Sequence, residues 1–401
     1  MVGERRWIRW AGTLLLVLGG ALALWGALQG SVPPAISPDP TRTPSPTPTR
    51  EPIIPPFTAT PELPSASSER TPTPALDNSI PESLGVPTLI PLTYSFPPEE
   101  RFRLGISVPT DLPLDYDLAA LGVGWVMNWR VYVLPPVPQG VEFFQTVRVR
   151  EEGLFPDSAT LTAAAAANPG ARWLVGNEPD VRWQDNVPAE LYARRYHEAY
   201  AAIKAGDPDA VVAPGGITQP SPLRLRYLDR VLETYEAEFG APLPAQAWQI
   251  HNYMLREERD VWGVDIPPGM PDEQGMLFEI EDSADVERFK EQIYLFREWM
   301  ARKGYRALPL WVTEFGVLMP EEYGFPPERV ASYLEETWRF FATATDPELG
   351  MPEDGGRLVQ RWCWFSMGYS VYPQGDLVDL ETGEWTYLGR TWLAIVEGAR
   401  P

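Results

Sequence analysis

Eight short apolar runs, rich in β-branched and aromatic residues, recur along the C-terminal three quarters of this chain. They cover residues 101–107, 123–129, 142–148, 171–178, 210–215, 247–253, 310–315 and 359–365. Strands that alternate with helical crossovers form parallel sheets, and eight of them can close into a barrel. We therefore predict a (β/α)8 TIM barrel over residues 99–401, a length of 303 residues that lies within the range of this fold.

Helical patterning is clearest between the fourth and fifth runs, over residues 189–204. Tyr192, Tyr196, Ala199 and Ile203 recur there at three- and four-residue steps and form one apolar stripe. Two further helices are predicted at 283–303 and 327–344, whereas the crossovers after the first three runs show no clear pattern. These helices would cover the outside of the barrel.

The first thirty residues have the composition of a membrane or export segment. Arg5, Arg6 and Arg9 precede a stretch without charge from Trp10 to Ser37. About twenty apolar residues in a helix span a bilayer core of roughly 30 Å, and the basic flank would stay in the cytoplasm. The segment 1–30 is either a retained transmembrane signal-anchor or a signal peptide cleaved near residues 21–23. Both alternatives place the remainder outside the cell, at the cell surface or secreted, with membrane contact through this segment only.

Residues 31–98 are dominated by Pro, Ser and Thr. Nineteen of the 45 prolines fall in these 68 positions. Such a composition buries too little apolar surface to offset the entropy of ordering, so we predict a disordered, extended spacer.

Charge and residue counts exclude several classes of function. The formal charge is −22, and nearly all of it belongs to residues 99–401, which argues against nucleic acid as a partner. A single cysteine, Cys363, permits no internal disulfide, and two histidines without paired cysteines give no zinc or iron–sulfur pattern. Since Cys363 lies between two tryptophans of one strand, we expect its side chain to face the helices. We also expect a monomer that needs no cofactor and no metal.

Two glutamates stand at the ends of predicted strands. Glu178 closes the fourth run and Glu314 closes the seventh. Strand alternation puts Trp311, Thr313 and Phe315 on one face and Glu314 on the other, so we expect Glu314 to point into the barrel. A carboxylate there is costly unless it is paired or used, and function collects at the carboxyl ends of barrel strands. The two glutamates are therefore predicted to converge at the barrel mouth.

The sequence around these glutamates resembles a known group of enzymes. Asn-Glu-Pro at 177–179 and Thr-Glu-Phe-Gly at 313–316 are similar to the acid/base and nucleophile motifs of the retaining glycoside hydrolases of clan A. Within the clan the chain is most similar to family 128, the alkali-sensitive-linkage type endo-β-1,3-glucanases. The matching stretches, in order over about 102–392, are 128–129, 176–180, 251–253, 311–315 and 361–365.

The resemblance implies a mechanism for the two glutamates. Glu178 would be the acid/base and Glu314 the nucleophile of a double displacement, with carboxyl groups about 5–5.5 Å apart and retained anomeric configuration. Glu178 would need a raised pKa to act as an acid, while Glu314 must stay ionised. The implied activity is hydrolysis of a β-linked glucan, with β-1,3 linkages as the favoured substrate.

Further site residues are expected around this pair. Tyr253 would donate to Glu314, with Arg130 as a second candidate donor, and His251 would orient Tyr253 or touch the substrate. The resemblance implies that Asn177 binds the sugar hydroxyl beside the anomeric centre and that Trp364 forms an aromatic floor under the sugar ring. The remaining candidates for substrate binding are Asn128 and Trp129, and Trp129 could instead belong to the core.

Two alternatives to this function remain open from the sequence. Another clan A specificity, for β-mannan, a β-xyloside or a β-galactoside, uses the same pair of glutamates. A non-catalytic carbohydrate-binding envelope protein on a barrel scaffold is the other, since a fold does not fix a function.

Overall fold

The structure, a computed structural model, describes residues 98–109, 118 and 120–398. The predicted leader, 1–30, and all of the predicted spacer except Pro98 lie outside these residues. Within the described ranges, no helix is both long enough and apolar enough to cross a membrane.

Short buried strands form the centre of the molecule, and nearly all pairings between them are parallel. The described strands are β1 Leu104–Ser107, β2 Trp125–Met127, β3 Glu142–Phe143, β4 Gln145–Val149, β5 Leu154–Phe155, β6 Arg172–Val175, β7 Val211–Ala213, β8 Gly215–Ile217, β9 Trp248–His251, β10 Leu310–Phe315 and β11 Arg361–Trp364. Each of the eight predicted apolar runs contains or overlaps at least one of these strands, and the third run is divided between β3 and β4, which confirms the predicted strand positions.

The pairings run in a ring around eight strand positions. One sheet has the order β3-β2-β1-β11-β10-β9-β8 and the other the order β5-β4-β6-β7. A single residue, Phe144, separates β3 from β4, and Pro214 separates β7 from β8, so each pair fills one strand position. The β1–β11 pairing joins the first and last positions. The architecture is that of a parallel α/β barrel, as the alternation predicted.

Six α-helices are described around these strands. The three predicted helices are confirmed as α2 Ala189–Gly206, α4 Val286–Arg302 and α5 Pro327–Thr343, with boundaries within a few residues of those expected. The first helix follows a short antiparallel pairing of β4 with β5, and residues 128–141, between β2 and β3, contain no described helix. The helices are α1 Ser158–Ala167, α2 Ala189–Gly206, α3 Pro222–Phe239, α4 Val286–Arg302, α5 Pro327–Thr343 and α6 Tyr387–Glu397.

The strand β10 contains one extra residue relative to both neighbours. Its register against β9 shifts between Val312 and Glu314, and its register against β11 shifts between Val312 and Phe315. Such a bulge re-aims side chains and is common beside active sites. Simple alternation cannot hold across it.

Because of the bulge, part of the predicted orientation of the β10 side chains is wrong. Phe315 faces the helices, as expected, but Trp311 packs against Phe144 from the opposite part of the ring, with ring centroids 5.1 Å apart. Thr313 donates to the side chain of Gln249, which shares a strand face with His251. The expectation that Trp311 and Thr313 face outward is therefore wrong, because the extra residue brings Thr313 and Glu314 both to the inner side.

Candidate active site

Glu178 lies on a tight turn just after β6. Its backbone has φ 47°, in the left-handed region that favours glycine. Its N–H donates to the carbonyl of Gly216 at 2.8 Å, and Gly216 itself has φ 68°. A side chain at Gly216 would come within 2.9 Å of the carbonyl oxygen of Gly176. The turn that carries Glu178 thus depends on a glycine of the next strand position.

Glu314, buried near the end of β10, accepts hydrogen bonds on both carboxylate oxygens. The indole N–H of Trp129 donates to Oε1 at 2.5 Å, and the hydroxyl of Tyr253 donates to Oε2 at 3.2 Å. Burial first, and the charge of Glu314 second, raise the pKa of Tyr253 well above its usual value, so Tyr253 keeps its proton. The structure brings Tyr253 to the expected place. It gives Trp129 a hydrogen-bonding contact that neither the stacking nor the core interpretation included.

His251, at the end of β9, lies between the two glutamates. Its Nδ1 is 2.9 Å from Oε1 of Glu178, and its Nε2 is 3.5 Å from Oε1 of Glu314. One carboxylate oxygen of each glutamate and one ring nitrogen all lie within 4.8 Å of one another. The predicted convergence of Glu178 and Glu314 is therefore observed, with an oxygen separation compatible with the spacing of a retaining pair.

The same three residues form a group of ligating side chains close enough to hold a metal ion, among the residues that the structure describes. However, the two ring nitrogens of His251 face different carboxylates. A metal ion bound to one nitrogen would have to displace at least one of these contacts. The arrangement as it stands is one of hydrogen bonds between charged groups.

The electrostatics of the pair differ from the expectation of a raised pKa for Glu178. Burial by itself raises that pKa, but the hydrogen bond and charge of His251, with smaller contributions from Thr218 and Arg224, outweigh burial and lower it. Burial likewise lowers the pKa of His251, and the charges of Glu314 and Glu178 outweigh it and raise this pKa. In the unliganded protein the proton shared by Glu178 and His251 therefore resides on the imidazole.

The structure also gives the surroundings of Asn128, Asn177 and Arg130, and substrate binding by the two asparagines stays a prediction. Asn128 is buried and donates to the hydroxyl of Tyr132 at 2.9 Å. The backbone N–H of Asn177 donates to Asp185 at 2.8 Å, and its side chain is buried. Arg130 is exposed, and the hydrogen bonds described above reach Glu314 from Trp129 and Tyr253 instead. Arg130 as a donor to Glu314 is thus not supported.

Trp364, the residue expected to form an aromatic floor under the sugar, faces the helices. Trp364 has no exposed surface, packs against Phe315 and Tyr333 on the helix side, and donates its indole N–H to Gly375 at 2.7 Å. Phe365 follows it, retains 6% exposure, and lies 5.9 Å from the ring of Trp129. Phe365 therefore lies beside Trp129, the residue that donates to Glu314, whereas the packing of Trp364 on the helix side does not support it as an aromatic floor under the sugar.

The orientation of Cys363 follows from its two neighbours on β11. Trp362 stacks on Phe341 of α5, and Trp364 also faces the helices. Alternation then turns Cys363 to the barrel interior, where burial, and second the charge of Glu314, raise the pKa of its thiol well above the usual value. The expectation that Cys363 faces the helices is wrong, although the thiol is buried and protonated.

Comparison with known proteins connects this geometry to a family of solved structures. No protein-family model matches the sequence, and no curated protein matches it. A family 128 (subgroup I) endo-β-1,3-glucanase from Amycolatopsis mediterranei, solved with laminarihexaose, has TM-score 0.50 at 16% identity, over 73% of this chain and 99% of that one.

Other solved structures of family 128 cover the same share of the chain. A subgroup II endo-β-1,3-glucanase from Sorangium cellulosum has TM-score 0.47 at 18% identity, covering 73% of this chain and 98% of that one. A subgroup III curdlan-specific exo-β-1,3-glucanase from Blastomyces gilchristii, in complex with glucose, has the same TM-score, identity and coverage. The structural neighbours are thus family 128 proteins, which confirms the resemblance read from the motifs. At these identities the likeness establishes the fold.

The contact between Trp129 and Glu314 gives a prediction. Trp129→Phe keeps an aromatic ring beside Phe365 but removes the N–H that binds Glu314. The resemblance implies that Glu314 is the nucleophile, and loss of one donor to a reacting carboxylate in a dry site costs roughly 10²-fold, so we expect kcat on the implied β-glucan substrate to fall by about that factor, with KM changed less. Steady-state kinetics of the purified variant test this. Unchanged kcat with a raised KM would instead indicate that Trp129 serves substrate binding alone.

A second prediction concerns Asp376, in the loop after β11. Burial raises its pKa from 3.8 to about 7, and its Oδ1 accepts from the N–H of Tyr369 at 2.7 Å. A raised carboxyl pKa in the folded state means that stability falls as pH rises from about 4 to 7. Asp376→Asn keeps the acceptor and removes the charge, so its melting temperature should exceed that of the wild type by about 2–4 °C at pH 8. The difference should vanish near pH 4. A difference of equal size at both pH values would contradict this account of Asp376.

Proposed function

We propose that this protein is a retaining glycoside hydrolase that cleaves a β-linked glucan, with β-1,3 linkages as its substrate. The observation that carries the proposal is the pair Glu178 and Glu314 at the mouth of a parallel barrel, with oxygens within 4.8 Å and His251 between them. An acetal needs one carboxyl to protonate the leaving oxygen and a second carboxylate to attack the anomeric carbon. The proximity of Glu178 and Glu314 supports the assignment of these two roles to them.

In the proposed mechanism His251 holds the proton before substrate binds. Its Nδ1 contacts Oε1 of Glu178, while Oε2 of Glu178 is buried without a hydrogen-bond partner. As the glycosidic bond breaks, the proton on Nδ1 passes to Oε1 of Glu178, and Glu178 gives this same proton to the leaving oxygen, which leaves His251 neutral and Glu178 again a carboxylate. In its second role the ionised carboxylate of Glu178 takes a proton from the incoming water.

Glu314 is the proposed nucleophile. Its carboxylate attacks the anomeric carbon to form a glycosyl–enzyme ester, and water later cleaves that ester with retention. The hydrogen bonds from Trp129 and Tyr253 fix the direction of the carboxylate before substrate arrives. Such preorganised contacts avoid reorganisation at the moment of reaction.

The assignment of a β-1,3-glucan draws on the motif resemblance and on the structural neighbour from Amycolatopsis mediterranei, which is an endo-β-1,3-glucanase. To test this assignment, purified protein comprising residues 99–401 is screened against linear β-1,3-glucan, β-1,4-glucan, β-mannan and xylan. The sizes of the products are then measured. We expect hydrolysis of β-1,3-glucan at the highest rate. Preferred hydrolysis of β-mannan or xylan would replace the substrate assignment, and glycan binding without hydrolysis over a range of pH would support the non-catalytic alternative.

We also propose that the catalytic domain acts outside the cell, linked through residues 31–98 to the segment 1–30. The uncharged run from Trp10 to Ser37 after three arginines supports this. Fractionation of cells that express the full chain distinguishes the two forms. Membrane-bound protein with an intact N-terminus indicates an anchor, soluble protein shortened near residues 21–23 indicates a cleaved leader, and cytoplasmic protein would refute export.

A further inference from the structure

A buried arginine fixes the turn that carries Glu178. Asp180, two residues after Glu178, has no exposed surface and forms an ion pair with Nη1 of Arg224. The same nitrogen donates to the carbonyl oxygen of Asp180 at 2.9 Å. The N–H of Thr218 donates to the Asp180 carboxylate at 3.3 Å. Arg224, which lies on α3, thus binds both the side chain and the main chain of Asp180 in the turn that carries Glu178.

The other nitrogens of Arg224 reach a different part of the chain. Nε binds the buried carboxylate of Glu257 at 2.8 Å, and Nη2 donates to the carbonyl oxygens of Asp265 at 2.9 Å and Val264 at 3.2 Å. Glu257 in turn accepts from the hydroxyl of Ser221, the residue that caps α3, at 2.7 Å. Arg224 therefore joins three segments: the turn after β6, the start of α3 and the long loop between β9 and α4.

Within the proposed function, we propose that Arg224 is a positioning residue for Glu178. It clamps Asp180 and so holds the left-handed backbone at Glu178 that aims the carboxylate toward His251 and Glu314. The guanidinium also sets the charge around Glu178, because a buried cation beside a buried carboxylate acts with little screening. The long loop after β9 contributes to catalysis indirectly, since its carbonyls and Glu257 hold the guanidinium in place.

Charge at this site has two opposing sources. The charged and titratable groups around Glu178 are His251, Tyr253, Glu314, Asp180 and Arg224. The charge of Arg224 lowers the pKa of Glu178, whereas the charge of Asp180 raises the pKa of His251. In a plot of kcat/KM against pH, removal of the Arg224 charge should therefore move the basic limb in one direction. Removal of the Asp180 charge should move it in the opposite direction.

The test uses Arg224→Met, Asp180→Asn and Arg224→Lys in residues 1–401, with Arg297→Met as the matched control. Arg297, on α4, is equally buried, and its nearest acceptors are the carbonyl of Leu358 at 2.5 Å and the side chain of Gln360 at 2.7 Å. For each variant we would measure kcat/KM against pH on a β-1,3-glucan and on an aryl β-glucoside oligomer with an activated leaving group. An activated leaving group needs no proton, so this second substrate isolates the acid role of Glu178.

We expect Arg224→Met to lose about 10- to 100-fold on the glucan and much less on the activated substrate, with the basic limb moved to higher pH. Asp180→Asn should move that limb to lower pH, and Arg224→Lys, which keeps the charge, should leave it near the wild-type position. Arg297→Met should lower the melting temperature without moving the limb. If Arg224→Met does not fold, Asp180→Asn and Arg224→Lys still give two distinct expectations, a limb moved to lower pH and a limb left in place, and an unmoved limb in Asp180→Asn would overturn the proposal.

Equal losses on both substrates with unmoved limbs would overturn the role of Arg224, as would limb shifts of the same sign in Arg224→Met and Asp180→Asn. The proposed function fails separately, if the wild type hydrolyses no glycan or if Glu178→Gln keeps full activity. A wild type that hydrolyses glucan and depends on Glu178, beside an Arg224→Met that behaves like Arg297→Met, would retain the function and reject only this inference.

Discussion

Glu314→Gln should abolish turnover on every glycoside substrate, whatever its leaving group. An amide cannot attack the anomeric carbon to form the ester intermediate, and it also places a hydrogen-bond donor where Trp129 and Tyr253 now donate. We expect a loss of at least about 10⁴-fold in kcat, because attack and electrostatic stabilisation disappear together. Single-turnover and steady-state assays on both a glucan and an activated aryl glycoside measure it.

The fold of Glu314→Gln needs an independent control. Glu142→Gln is suitable, because Glu142 lies at the start of β3 and pairs with Arg172 and Arg361 rather than with the mouth residues. Both variants should keep cooperative unfolding, and Glu142→Gln should keep its activity. Residual activity of Glu314→Gln above a few per cent, on a folded protein, would remove Glu314 from the nucleophile position.

Glu178→Gln should give a different pattern, with a loss that depends on the leaving group. On a polysaccharide we expect kcat to fall by about 10²- to 10⁴-fold, the usual size of general acid–base catalysis. On a substrate with an activated leaving group the first step needs no acid, so glycosylation should stay fast while hydrolysis of the intermediate slows. Burst kinetics with that substrate measure the two steps separately.

Added azide extends the test of Glu178. A small anionic nucleophile needs no general base, so azide should restore turnover of Glu178→Gln with the activated substrate and yield a β-glycosyl azide. Azide should have no such effect on Glu314→Gln. Equal losses on all substrates, or an azide product of inverted configuration, would contradict the assignment of the acid/base role to Glu178.

Much of the fold could be predicted from the sequence, because strand runs and helical stripes are local patterns. The regions around β10 and β11 show where this reasoning ends. One extra residue in β10 breaks the alternation, so Trp311 packs inside the ring although it was expected outside. The resemblance assigned the aromatic floor to Trp364, which packs on the helix side, while the next residue, Phe365, lies beside Trp129. A bulge is set by the two neighbouring strands, and nothing in the run itself marks it.

The sequence predicted the central pair of the candidate site, Glu178 and Glu314, but not all of the contacts around them. Glu178, Glu314, His251 and Tyr253 were found because they stand in motifs at strand ends. The donation from Trp129 and the clamp by Arg224 depend on contacts across 185 and 44 residues of chain, which no local pattern encodes. The ionisation of Glu178 was predicted in the wrong direction, because the charge that lowers its pKa comes from His251, 73 residues away.

The anomeric form of the first product tests the central claim most directly. Proton NMR of a β-1,3-gluco-oligosaccharide digested by the wild-type protein resolves the α- and β-hemiacetal before they interconvert. Double displacement by Glu178 and Glu314 predicts that the β-anomer accumulates first and then mutarotates. An initial excess of the α-anomer would contradict the retaining mechanism, and no hydrolysis of this oligosaccharide or of any other β-linked glycan would contradict the proposed function itself.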